Sequence, residues 1–176
     1  MPESTVDEED MFDLAQGLWN SVIGRNFFID ARLGLNKILF PTYFNGGSNQ
    51  SSIDNATGII YGNNATEVIR NRDRYQANAT GQYYVDQFLG GRHEFKFGFD
   101  YSHAVTRNQT HRVDDVQTTY TSASGAFVPQ NVTLFATPQN DATALNVMAL
   151  FAQDSYSVKR VTFIGRSEEH TSELQS

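Results

Sequence analysis

The sequence has no cysteine, a single tryptophan and four prolines among 176 residues. Without thiols there is no disulfide framework and no cysteine-ligated metal site. No apolar run approaches the roughly 20 residues that a membrane-spanning helix needs. Positive charge is also scarce, with 13 Lys and Arg against 20 Asp and Glu and a formal net charge of −7. That balance argues against nucleic-acid partners, because phosphate neutralisation needs clustered Lys and Arg. The opening 1–10 is acidic, with Asp7, Glu8, Glu9 and Asp10, where a secretory leader is basic and then apolar. No Ser/His/Asp arrangement, phosphate-binding glycine loop or supported carboxylate pair stands in the chain, so no enzymatic activity and no cofactor are expected. Taken alone, these absences describe one acidic soluble domain of ordinary size.

What the chain does contain is phenylalanine and tyrosine, 13 and 8 residues, placed with period 2. From His93 to His103, the residues His93, Phe95, Phe97, Phe99, Tyr101 and His103 fall on one side of an extended chain, and Glu94, Lys96, Gly98, Asp100 and Ser102 on the other. A helix would scatter these phenylalanines around its circumference. Tyr75, Ala77, Ala79, Gly81, Tyr83 and Val85 alternate in the same way with Gln76, Asn78, Thr80, Gln82, Tyr84 and Asp86, and Gly90-Gly91 marks a hairpin turn between the two strands. Phe27, Ile29, Ala31, Leu33 and Leu35 alternate with Phe28, Asp30, Arg32, Gly34 and Asn36. Near 145–156 the adjacent Leu150 and Phe151 leave the inward or outward phase open.

Connection lengths sort themselves. Gly24-Arg25-Asn26, Gly90-Gly91 and Ser157-Val158-Lys159-Arg160 are short, whereas the stretches near 41–70 and 105–141 are long and polar. Strands of about 9–11 residues joined alternately by tight turns and long loops are the pattern of a transmembrane β-barrel. Loops longer than about 12–15 residues are uncommon in compact soluble domains. The expectation is an all-β chain of about six antiparallel up-and-down strands with long loops, an incomplete segment of a transmembrane β-barrel over 11–165. In that arrangement the apolar face turns to lipid through Phe27, Ile29, Leu33, Phe95, Phe97, Phe99 and Tyr101. The polar face, with Asp30, Arg32, Glu94, Lys96 and Asp100, lines a lumen.

Other features have plainer readings. His93 and His103 lie ten residues apart, about 33 Å along a strand, too far to share a metal; they bracket the apolar stripe as interface positions. Asp114, Asp115 and Asp141 are the one set of loop carboxylates that could form an oxygen-rich cation site, with ordinary solvation as the simpler alternative. Sequons at Asn55, Asn64, Asn78, Asn108 and Asn131 follow from a composition rich in Asn and Thr. The eleven residues 166–176, Arg-Ser-Glu-Glu-His-Thr-Ser-Glu-Leu-Gln-Ser, match the in-frame translation of a common sequencing adapter and are expected to be foreign to the protein. A short polar helix is the alternative for that tail.

Two motifs carry a resemblance to a family. Gly91-Arg92-His93-Glu94-Phe95-Lys96-Phe97-Gly98 opens one strand, and Phe151-Ala152-Gln153-Asp154-Ser155-Tyr156 closes another. Together and in this order they resemble the barrel of TonB-dependent outer-membrane receptors, and are most similar to the Oar-like branch. The resemblance implies a parent barrel of 22 strands, filled by an N-terminal plug and engaged by a TonB-type energy transducer of the inner membrane. Its other partners would be outer-membrane lipid and a ligand that the sequence does not identify. The resemblance also implies a secretory leader ahead of the barrel, so Met1 is expected to be an internal methionine and 1–10 a loop end. For the inward charged residues it implies contact with the plug ahead of direct ligand binding.

Overall fold

The computed structural model describes residues 2–123 and 126–175, so Met1 and the last tail residue, Ser176, lie outside the described residues. The fold is all-β and its sheet is antiparallel and up-and-down, with no α-helix among the described residues. Among the described residues eleven strands follow in order: β1 (Val6–Glu8), β2 (Met11–Ile23), β3 (Phe27–Phe44), β4 (Ser51–Asp54), β5 (Ile59–Tyr61), β6 (Glu67–Phe88), β7 (Gly91–His111), β8 (Val116–Ala123), β9 (Ala126–Leu134), β10 (Gln139–Val158) and β11 (Val161–Gln175).

Seven of them form one sheet in the order β1-β3-β6-β7-β10-β11, with β2 also paired to β3. The order does not return on itself, so this sheet is open. β4, β5, β8 and β9 form a second sheet in the order β5-β4-β8-β9, in which β4 and β8 run parallel.

The tight turns fall near their expected places: Gly24-Arg25-Asn26 as expected, the β6–β7 turn one residue earlier, and the β10–β11 turn two residues shorter. β6 and β7 are joined by Leu89-Gly90, both at positive φ (50° and 83°), and Gly91 is already the first residue of β7. A two-residue turn with both residues in the left-handed region matches the twist of the flanking strands, and Leu89 adopts it without being glycine. β10 and β11 are joined by Lys159-Arg160 alone, with Val158 facing Val161. The strands are correspondingly longer than 9–11 residues: β3 has 18, β6 has 22, β7 has 21 and β10 has 20.

The long connections near 41–70 and 105–141 also differ from expectation. They are not irregular loops, because β3 and β6 extend into the first, β7 and β10 into the second, and the four-stranded sheet occupies what remains. Their Asn, Gly and Ser content hid short runs of strand-forming residues, such as Ile59-Ile60-Tyr61 and Val116 to Tyr120. The tail is extended rather than helical: 166–175 continue β11 and pair with 144–153 of β10.

The chain divides into two compact units, to which β2, β3, β6, β7 and β10 each contribute. One comprises Asp13–Lys37, Asp73–Val105 and Thr143–Ser176, and it holds all three tight turns. The other comprises Met1–Phe12, Ile38–Arg72 and Thr106–Ala142, and it holds both long connections. Among the described residues no hydrophobic residue is buried, and the largest fully buried side chains are Asn63, Asp54 and Pro41. Burial of apolar surface is the main force that folds soluble domains, and among the described residues the large apolar side chains are at most half-buried.

Candidate functional site

In the unit that holds the tight turns, the alternation in the sequence becomes two chemically distinct faces. The ring of Phe27 stacks on Phe97 at 6.1 Å and meets Tyr83 edge-on at 6.3 Å. Leu33, Leu35, Tyr75, Ala77 and Tyr101 line a shallow apolar hollow of about 530 Å³ with Ala15 and Gly17. All seven residues expected to face lipid lie on β3 and β7, the strands joined by the Phe27–Phe97 contact, and Leu33, Phe97, Phe99 and Tyr101 are exposed. Phe27 and Phe95 on the same face are half-buried.

The opposite face is polar. Arg32 Nε donates to Asp30 Oδ1 at 3.2 Å, and the guanidinium remains exposed. Such a pair contributes little in water. Arg32 shares a second hollow with Gln16, Leu18, Gln76 and Asn78. The Tyr84 hydroxyl donates to Gln82 Oε1 at 2.9 Å and reaches Glu94 at 3.4 Å. Lys96 and Asp100 follow Glu94 at the same parity of β7, Lys96 half-buried and Asp100 exposed. The five inward candidates thus sit on one face as a spread of mixed charges and amides, and they do not converge on a single point.

Glycine shapes both surfaces. A Cβ at Gly98 would run into the Ala79 carbonyl oxygen and approach the Phe151 ring to 2.9 Å, whereas one at Gly17 would meet nothing within 4 Å. Gly98→Ala is therefore expected to lower stability by about 1–3 kcal/mol. Gly17→Ala should stay within about 0.5 kcal/mol of the parent. Denaturant midpoints of the two variants, measured side by side, check the difference, and equal midpoints would contradict it.

The phase of β10, open in the sequence, is settled by contacts with β7. Asp154 and Tyr156 meet His93, and Asn146 meets Tyr101 and His103, all on the phenylalanine face. Phe151 lies over Gly98 on the other. Leu150 therefore belongs to the apolar face and Phe151 to the polar one.

His93, at one end of the apolar stripe, is closed in by its neighbours. It is 5% exposed, enclosed by Phe88, Phe95 and Tyr156 at centroid distances of 5.2, 5.4 and 4.5 Å. Its Nδ1 lies 2.8 Å from Asp154 Oδ2. The two sequence motifs that carried the family resemblance thus touch through their His and Asp. His103 hydrogen-bonds Asn146 Oδ1 at 2.6 Å.

In the other unit the loop carboxylates do not form a cation site. Asp114 accepts from Gln50 Nε2 at 2.8 Å, Asp115 accepts from the Thr137 amide at 3.0 Å and from its hydroxyl, and Asp141 is engaged by Gln139. No group of three metal-ligating side chains occurs among the described residues.

The most heavily bonded carboxylate there is Asp54, which the sequence reading passed over. It is 1% exposed and accepts the Ala56 amide at 3.1 Å, the Ser122 amide at 2.9 Å, the Thr57 hydroxyl at 2.8 Å and the Ser122 hydroxyl. The Ser122 hydroxyl is the largest of the influences that hold its pKa down to about 2 from 3.8, against the opposing effect of burial. Its signal in the sequence is Asp54-Asn55-Ala56-Thr57-Gly58, a run in which an Asp side chain caps its own turn. The long-range partner Ser122 has no such signal.

No family model, curated protein or solved structure matches the chain.

Proposed function

We propose that the chain is part of the transmembrane β-barrel of a TonB-dependent outer-membrane receptor, which takes part in ligand uptake across the outer membrane. The observation that carries this reading is a long antiparallel sheet with an exposed apolar face and no hydrophobic core among the described residues. An apolar surface of that extent needs a covering, and a barrel strand finds it in lipid. The sorting of connections supports the reading, since the tight turns all fall in one compact unit and the long connections in the other. No helix among the described residues is long and apolar enough to cross a membrane, and a barrel crosses with strands. The parent's partners are then outer-membrane lipid, its own plug, the TonB-type transducer and a ligand, with Asp30, Arg32, Glu94, Lys96 and Asp100 turned to the lumen and the plug.

A soluble β-sandwich module would need a second layer over the Phe95, Phe97 and Phe99 face, and Phe97 and Phe99 are exposed. A passive porin or adhesin barrel uses the same two faces. A plug-coding segment in the parent gene separates the receptor from it.

The single tryptophan provides the test. Trp19 is 56% exposed and has the parity of Ala15 and Gly17, which line the apolar hollow. On folding into phospholipid vesicles its emission is expected to shift to the blue and to be quenched by brominated acyl chains. A monomer that unfolds sharply in detergent-free buffer, with Trp19 emission indifferent to vesicles, would sink the proposal.

A further inference from the structure

In an alternating sheet, a slip of one residue between neighbouring strands exchanges the two faces and is opposed by the apolar pattern. A slip of two residues leaves both faces intact. Two-residue turns fix the register within the β6–β7 and β10–β11 hairpins. Between β7 and β10 there is no such turn, because 112–138 intervene, and no buried apolar core restricts them. Something else must choose among registers that differ by two.

We infer that the His93–Asp154 pair, with Tyr156 seated over Gly91, is the latch that sets the register of β7 against β10. His93 Nδ1 and Asp154 Oδ2 lie at 2.8 Å, and the Tyr156 hydroxyl donates to the Leu89 carbonyl at 2.9 Å. A Cβ at Gly91 would enter the space of the Tyr156 ring, so only glycine admits the ring there. The pair is insular: His93 Nε2 and Asp154 Oδ1 have no hydrogen-bond partner among the described residues. His93, closed in by three aromatic rings, depends on Asp154 for its polar contact, whereas the Asp154 side chain is 36% exposed. A slip of two residues separates them and moves Tyr156 off Gly91, leaving the buried His93 imidazole unpaired at a cost that the unchanged faces do not offset. This inference rests on contacts within one sheet and holds whether lipid or another surface covers the apolar face.

The absence of cysteine makes the register directly readable. Phe97→Cys is combined in turn with Met148→Cys, Leu150→Cys and Ala152→Cys in the full chain, and each pair is oxidised in the medium in which the chain folds. With His93 and Asp154 intact, one partner is expected to dominate the others by about tenfold, the ratio that loss of a buried hydrogen bond can produce. In a background carrying His93→Ala and Asp154→Ala, the cross-link should spread to the partner two residues away. Should those replacements prevent folding, Asp154→Asn, which keeps a hydrogen-bonding group, is expected to retain the single partner, while Gly91→Val, which displaces Tyr156, should spread it. The same single partner dominating in every folded variant overturns the inference.

Discussion

Arginine in place of Leu33 is expected to destabilise the lipid-folded chain by about 2–4 kcal/mol, the cost of a cation on the lipid face near the bilayer midplane. Removing the charge next to it, by Arg32→Ala, should cost no more than about 1 kcal/mol, because the Asp30–Arg32 pair at 3.2 Å is exposed. The two positions are adjacent in β3 and both are open, Leu33 at 67% and the Arg32 side chain at 59%. In water, therefore, neither substitution has reason to exceed about 0.5 kcal/mol by much. What separates them is the medium each face meets. Denaturant unfolding from vesicles measures the contrast, and equal effects at 32 and 33 would remove the assignment of the odd-numbered face of β3 to lipid.

A second large effect is expected at Asp54. Its folded pKa of about 2 lies below the ordinary 3.8, so its contribution to stability is present above the higher value and is lost as pH falls through the lower one. The four-stranded sheet should accordingly loosen between about pH 4 and pH 2. Amide-exchange protection factors in β4 and β8, corrected for intrinsic rates, report it. Asp54→Ala should abolish that protection at neutral pH, since the Ser122 and Ala56 amides and the Thr57 and Ser122 hydroxyls lose their shared acceptor. Asp54→Asn should fall between the two. Undiminished protection in Asp54→Ala at neutral pH would show that the parallel β4–β8 pairing stands without the carboxylate.

The two short motifs singled out in the sequence meet in the fold. Gly91-Arg92-His93 and Gln153-Asp154-Ser155-Tyr156 are 61 residues apart at His93 and Asp154, yet these two side chains form a hydrogen bond. Short motifs of this kind can recur because they pair with each other, without any role in binding or chemistry. His93 also shows what alternation leaves out. Its alternation parity was right, but parity places a side chain on a face and says nothing about what else stands on that face. Phe88 and Tyr156, from two other strands, cover it.

The sequence by itself determined the all-β class, the two faces of β3, β6 and β7 and the approximate sites of the tight turns. Each of these depends on residues close together in the chain: a period of two from Phe27 to Leu35 or from His93 to His103, and turn formers at 24–26, 90 and 159–160. Only the tertiary structure decided the phase of β10, the burial of His93, the four-stranded sheet made from the two long connections and the role of Asp54. Those outcomes depend on pairings across 53 to 68 residues, such as Phe151 with Gly98 or Asp54 with Ser122. Adjacent Leu150 and Phe151 suit either phase equally, and only a neighbouring strand with a glycine at the facing position makes one of them fit.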